Sequence, residues 1–288
     1  MGDVLAGIHA TWEFDADSVL IRFERGIRTP KLLQSLRERR IPHAALSSVT
    51  LTPGKRDTVV LRAVPRPGAD PLLEAAAGQL KEGCDPYRLV LPAERELLAE
   101  YYADELRSCL GPASDEPADR FLVAAPEAPM QFKAYDGRAG FDGERVSFRW
   151  FWTGASSAKW KAGDQTYRVS ELAGIEWRSP EALDGHLRLL PREGAEVGVA
   201  ADQDPAAVLF GLGYGPVHES LPFAAAVLES VRWTASAPAV PAPVLVNAGR
   251  RDPADIAERI HHLGELHQAG LVTDDEYSAK KAELLAEL

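Results

Sequence analysis

The chain has 288 residues, 45% of them hydrophobic and 26% charged, with a formal net charge of −11. That length predicts about two globular domains, each able to bury its own core. The acidic balance argues against nucleic acid as a partner, because affinity for DNA or RNA leans on clustered Lys and Arg.

Two cysteines, Cys84 and Cys109, form neither a disulfide framework nor a CxxC metal motif, so both are expected as free thiols. The opening MGDVLAGIHATWEF has no basic n-region and no apolar h-region. No apolar run approaches the ~20 residues of a membrane span. The expected location is the cytoplasm.

Taken in chain order, residues 10–25 alternate apolar and polar around an Asp-rich turn and predict a hairpin. The following GIRTPKLLQSLRERR reads as a loop. Residues 44–52 and 57–64 predict two strands joined by the turn pair Pro53-Gly54. PLLEAAAGQLKEG has the composition of a short helical insertion, and a strand is expected over 87–91. Pro92 then suits a first helical turn, where its missing N–H costs nothing. Leu98, Tyr102, Leu106 and Cys109 make an apolar stripe at helical spacing. Gly111 to Pro129 reads as a semi-extended, poorly ordered linker.

The same grammar then returns. FDADSVLIRF from Phe14 matches FDGERVSFRW from Phe141, 127 positions later. Leu46 and Val49 match Leu172 and Ile175, and Thr58 to Pro65 matches Asp184 to Pro191, at an offset of 126. Leu91-Pro92 matches Leu221-Pro222 at an offset of 130. The pattern predicts one domain written twice. Pro222 is expected to open the second closing helix, with Ala224, Val227, Leu228 and Val231 on its apolar stripe. Between hairpin and next strand the second copy carries FWTGASSAKWKAGDQ, with Trp150, Trp152 and Trp160 nearby. At least half of that aromatic run is expected in the core and the rest on a partner surface, where Trp and Arg are common anchors.

The class is therefore α+β: two tandem sheets or partly open barrels, each capped by a C-terminal helix, then a helical hairpin. The boundaries are 1–110 and 130–233 for the copies, 111–129 and 234–250 for linkers, and 251–288 for the hairpin. In that hairpin Asp252 is a good N-cap with Pro253 at the first helical position, Gly270 suits a C-cap, and Thr273 with Glu276 forms a capping box. Ile256, Ile260, Leu263 and Leu266, then Tyr277, Leu284, Leu285 and Leu288, form the candidate association face.

The run LGELHQAGLVTDDEYSAKKAELL resembles the short C-terminal domain called SHOCT. The resemblance rests on Leu263, Leu266, Gly270 to Thr273, Asp275 to Tyr277, Lys280, Lys281, Leu284 and Leu285. It implies oligomerisation or docking and no catalytic role. The doubled domain resembles an actinobacterial family of unknown function that pairs two pleckstrin-homology-like units with such a tail.

No catalytic set stands out. The acid pairs Asp15/Asp17 and Asp142/Glu144 sit at turns, where Asp is favoured for local hydrogen bonds. Gly211 to Gly215 (GLGYG) lacks the Lys-Ser/Thr of a phosphate loop. His261, His262 and His267 lack the i,i+4 pairing that aims two rings at one metal. No metal or cofactor is expected. The strongest local charge feature is the basic run from Arg22, with Arg25, Arg28, Lys31, Arg37, Arg39 and Arg40 as a candidate anionic-ligand loop. The function expected is a non-enzymatic interaction or scaffolding protein whose partner is another copy or another protein. The alternative is a peripheral adaptor that holds anionic membrane through that loop.

Overall fold

The alternation of residues 10–25 produces an antiparallel meander, extended by one strand on either side. The computed structural model describes residues 3–193 and 198–236, with Ser278 and Lys281 as isolated helical positions. The chain divides into two units, Met1–Ala237 and Pro238–Leu288. Apart from Ser278 and Lys281, the expected hairpin 251–288 lies outside the described residues, and so does all of its candidate association face.

The first copy starts with β1 (Asp3–Ala6), β2 (Ala10–Phe14), β3 (Ser18–Phe23) and β4 (Glu38–Pro42), a four-stranded sheet in chain order. A short helix, α1 (Lys31–Leu36), sits between β3 and β4. A second sheet holds β5 (Leu46–Pro53), β6 (Thr58–Pro65) and β7 (Arg88–Pro92). Between β6 and β7 lies α2 (Pro71–Ala76), with Asp70 capping it through the Leu72 amide and Pro71 opening it. Leu5, Trp12, Val19, Ile21, Ile41 and Leu61 fill the space between the sheets. The sheets meet at a corner, where the Ile8 amide donates to the Val90 carbonyl at 2.7 Å, and do not close into a barrel.

The copy ends in α3 (Glu96–Ser108). Pro92 closes β7 and a 3-10 turn over Ala93–Arg95 precedes the helix, so Pro92 is not in its first turn as expected. The buried stripe is Ala99, Tyr102, Ala103 and Leu106, while Leu98 and Cys109 are exposed. Small Ala99 and Ala103 let the helix sit close to the sheet, which turns the expected stripe by about one residue. Tyr102 stacks on Phe14, with centroids 4.3 Å apart.

The second copy repeats this order: β8 (Met130–Lys133), β9 (Gly137–Phe141), β10 (Arg145–Trp150), α4 (Ser157–Ala162), β11 (Gln165–Arg168), β12 (Leu172–Arg178), β13 (His186–Pro191), β14 (Ala207–Leu209) and α5 (Val217–Ser236). The registers agree pair by pair. Phe14 faces Val19 as Phe141 faces Val146. Leu46 faces Pro65 as Leu172 faces Pro191, and each of these pairings breaks register one step later. Leu61 and Leu187 are both fully buried. The two stretches expected as unlike loops are alike too, each folding into a short helix followed by a sheet-edge strand.

One match was misplaced. Leu61 faces Leu89 and Leu187 faces Val208, so the counterpart of β7 is β14 and Leu91-Pro92 does not correspond to Leu221-Pro222. The second copy has no helix equivalent to α2 among its described residues, so its β13–β14 connection is shorter. Pro222 lies inside α5, which begins at Val217 and runs past Thr234, the expected start of the second linker. The expected stripe of Ala224, Val227, Leu228 and Val231 is buried.

The copies share a core. Helix α5 packs against α1 and α2 as well as its own sheet. Leu32, Leu72, Ala75 and Ala76 join Phe141, Trp177 and Val227 in one buried cluster. Gln79 bridges the copies, donating to the Trp177 carbonyl at 3.0 Å and accepting from the Ser179 amide at 2.9 Å. The segment 111–129 is no loose tether: Ala118 and Val123 donate to the Pro67 and Ala69 carbonyls at 2.8 and 3.0 Å. Arg66 also holds the Glu116 carbonyl at 2.8 Å. Composition alone suggested a loose linker, whereas these backbone bonds strap it to the first copy.

Candidate docking surface

The β3–α1 loop and α1 carry most of the basic run. Gln34 on α1 reaches back and donates to the carbonyls of Gly26 at 2.9 Å and Thr29 at 2.7 Å. The Thr29 hydroxyl contacts the His9 ring at 3.1 Å, and the Thr29 amide donates to Gly26 at 3.1 Å. These bonds use the loop's inward groups and leave Arg25, Ile27 and Arg28 pointing out. Ile27 is fully exposed, at 106%. Arg25, Arg28, Lys31 and Arg37 are exposed and make no ion pair with another described residue.

Two members of the expected loop are used elsewhere. Arg39 is a correction: it points inward beside Ile41, because alternate residues of β4 share a face. Its guanidinium donates to Asp70 at 2.7 Å, Tyr87 at 3.2 Å and the Ala124 carbonyl at 3.0 Å. Tyr87 in turn donates to Asp70 at 2.5 Å. Burial would lower the Arg39 pKa, but Tyr87 and Asp70 more than offset it and hold it above its ordinary value. Burial likewise pushes the Tyr87 hydroxyl up. Arg40 stays at the surface but binds Asp15 at 2.6 Å, which neutralises it.

The corresponding end of the second copy is aromatic. Trp152 occupies the position equivalent to Arg25. Trp152 and Trp160 meet edge to face at 5.0 Å, and Tyr135 meets Tyr214 at 6.2 Å. All four rings are partly exposed, and Leu212 is fully exposed at the tip of the Gly-rich turn. Lys133 lies over the rings of Phe151 and Tyr214 at 5.3 and 5.5 Å. Trp150, the remaining member of the trio, is core, its indole donating to the Gly163 carbonyl at 2.8 Å.

A buried ion pair backs this end. Lys159 and Asp136 are both 0% exposed and 2.6 Å apart. Asp136 also accepts the Leu209 amide at 2.8 Å, and its carbonyl accepts Phe151 at 2.9 Å. One residue thus ties the β8–β9 turn, the Trp152 loop, α4 and β14 together. Burial pushes the Asp136 carboxyl up and the Lys159 ammonium down, and each partner opposes the shift of the other.

The GLGYG turn is spent internally. Gly211 and Tyr214 bond each other's backbone at 3.2 and 2.9 Å, and Gly215 donates to Lys133 at 2.8 Å. Gly215 has φ +60°, and a Cβ there would meet the Phe210 ring at 2.2 Å, so only glycine fits. A helix does follow, but these three amides are committed. Among the described residues no group of three or more His, Cys, Asp or Glu is placed to hold a metal. Asp142 accepts the Glu144 and Arg145 amides at 2.8 and 2.7 Å, which is turn chemistry.

A family model described as DUF4429, a domain of unknown function, matches residues 12–107 and again residues 139–228. The chain belongs to that family. The two DUF4429 stretches begin at Trp12 and Ala139, equivalent positions on β2 and β9, so the family unit is the structural repeat. No curated protein matches the chain.

Reading the sequence missed Ile27, Gln34, Tyr135, Asp136, Lys159 and Leu212. The exposed Ile between two arginines was the one local signal available among them.

Proposed function

We propose that this chain is a non-enzymatic cytoplasmic adaptor. Its tandem body holds an anionic surface, and its tail, residues 251–288, joins copies or docks another protein. Each repeat has four meandering strands, three more, and a closing helix, an order that supports the pleckstrin-like reading. One observation carries the adaptor reading: a fully exposed Ile27 flanked by Arg25, Arg28 and Lys31 on a protein of net charge −11. An apolar tip ringed by cations that make no ion pair with another described residue suits the boundary between headgroups and acyl chains. No helix among the described residues is long and apolar enough to cross a membrane.

Each basic residue near an anionic bilayer contributes about 1 kcal/mol. Reversing Arg25, Arg28 and Lys31 to Glu is therefore expected to lower partitioning onto phosphatidylglycerol-containing vesicles by at least roughly a hundredfold. Co-sedimentation at low and high salt checks this. Wild type that ignores such vesicles at every ionic strength removes the reading. Arg39 has no place in this test, because its loss disturbs the core.

The resemblance to SHOCT supports an associating tail. Leu263→Asp is expected to lower the mass seen by light scattering, since an unpaired carboxylate is costly to bury at an apolar contact. Equal monomeric masses for wild type, this variant and a chain ending at Gly249 would leave docking to another protein as the tail's role.

A further inference from the structure

The basic loop of the first copy leads into α1, which packs against α5, and the aromatic end of the second copy leads into the start of α5. Burial holds the imidazole of His218, in the first turn of α5, low; Glu219 opposes this and Lys31 at the start of α1 adds to it. The α5 start is joined directly to the aromatic end through Gly215, which is bonded to Lys133. Lys31 thus opens the helix that packs on α5, while Tyr214 and Tyr135 meet just before α5 begins, and the Trp152 loop is tied to the same β8–β9 turn through Asp136.

We propose that these two ends form one composite membrane-binding surface, with the first copy supplying charge and the second supplying interfacial aromatic anchors to the same anionic bilayer. The proposal rests on the adaptor reading and adds the second copy to it. Three features select a bilayer over a protein. Trp and Tyr, apolar in body and polar at the tip, favour the level of the headgroups. Ile27 and Leu212 stand fully exposed at loop tips, positioned to enter acyl chains without any groove to receive them. Lys133, Arg25, Arg28 and Lys31 provide the positive charge that an anionic surface attracts. The frame behind the rings is fixed by Asp136 and Lys159, so little ordering is lost on docking.

The test uses the full chain and phosphatidylcholine vesicles with and without phosphatidylglycerol, some brominated on the acyl chain near the headgroup. Wild-type tryptophan emission should be quenched by the brominated anionic vesicles. The readout is taken in a Trp233→Phe background, because Trp233 near the end of α5 is also exposed; there Trp152→Phe with Trp160→Phe should lose that quenching, since the remaining Trp12, Trp150 and Trp177 are buried in the core. Trp152→Ala with Leu212→Ala should weaken binding by roughly tenfold while keeping its salt dependence, because the loss is apolar. A matched thermal midpoint shows that each variant is folded. Charge reversal of the loop should weaken binding and flatten its salt dependence. If the aromatic variants bind and quench like wild type while loop reversal abolishes binding, the composite surface is overturned and the adaptor reading stands. If they lose a protein in pull-downs with vesicle binding unchanged, the aromatic end is a protein surface and the inference is overturned. If wild type binds no vesicle, both ideas fall.

Discussion

Replacing Arg39 with alanine is expected to destabilise the tandem body by about 3–5 kcal/mol. The change strands the Asp70 carboxylate, whose side chain is 1% exposed, and removes the only cation that it contacts among the described residues. It also frees the Ala124 carbonyl and so loosens the strap between the copies. Tyr87→Phe should be milder, about 1–3 kcal/mol, since it removes one buried hydroxyl and leaves the ion pair intact. Asp70 has a second task as cap of α2, so the pair cannot simply be swapped for two apolar residues. Arg39→Met with Asp70→Ser keeps a capping oxygen and discards both charges. That double variant should recover much of the loss, because removing a whole buried pair is often close to neutral. Urea titrations of wild type and the three variants, followed by circular dichroism, give these losses. A loss under about 1 kcal/mol for Arg39→Ala would mean that the buried network contributes little.

Arg39 also marks the limit of local reading. The period-two rule that buries Ile41 buries Arg39 as well, and that signal was present in ERRIP. The density of charge in SLRERR, which points to a solvated loop, hides it. The repeat was far more legible. Alternating apolar residues, Asp-rich turns and the Pro-ended strands recur in order, and registers follow from alternation once one face is buried. The misplaced Leu-Pro match failed for a different reason: two residues can coincide by chance where an inserted α2 has shifted the spacing. The aromatic end was legible only in part. Trp152 and Trp160 share one stretch whose rings were expected partly on a partner surface, but Tyr135 and Leu212 come from two other segments, and only the folded sheet corner brings them together. The shared core was hidden, because nothing in PLLEAA says that its leucine will pack against a helix about 150 residues downstream.

Lys159→Met is expected to cost about 3–5 kcal/mol at neutral pH, leaving the Asp136 carboxylate buried beside Trp150. The pH dependence of that loss follows from the sign of the shift. Burial already holds the Asp136 carboxyl above its ordinary range, and Lys159 is the largest influence opposing it, with the Leu209 amide helping. Without Lys159 the folded-state pKa rises further, so the folded protein binds a proton more readily than the unfolded chain. A group raised in this way favours folding below its unfolded pKa and loses that contribution as pH rises through its folded pKa. The deficit of the variant relative to wild type should therefore be largest at neutral pH and above, and shrink on acidification. A deficit that is flat or grows between about pH 7 and about pH 5 would mean that Asp136 does not titrate as the burial argument requires. The first copy supplies the rescue. It places His9 and Leu33 where the second places Asp136 and Lys159, and His9 bonds the hydroxyl of Thr29, the residue before the α1 N-cap Pro30, whose counterpart in α4 is Ser156. Asp136→His with Lys159→Leu therefore rebuilds the solution already used in this chain. It should be more stable at neutral pH than Lys159→Met, and its deficit should not shrink on acidification. It should also keep the edge-to-face packing of Trp152 on Trp160, read from near-ultraviolet circular dichroism, whereas Lys159→Met should lose it as the frame that Asp136 ties together loosens.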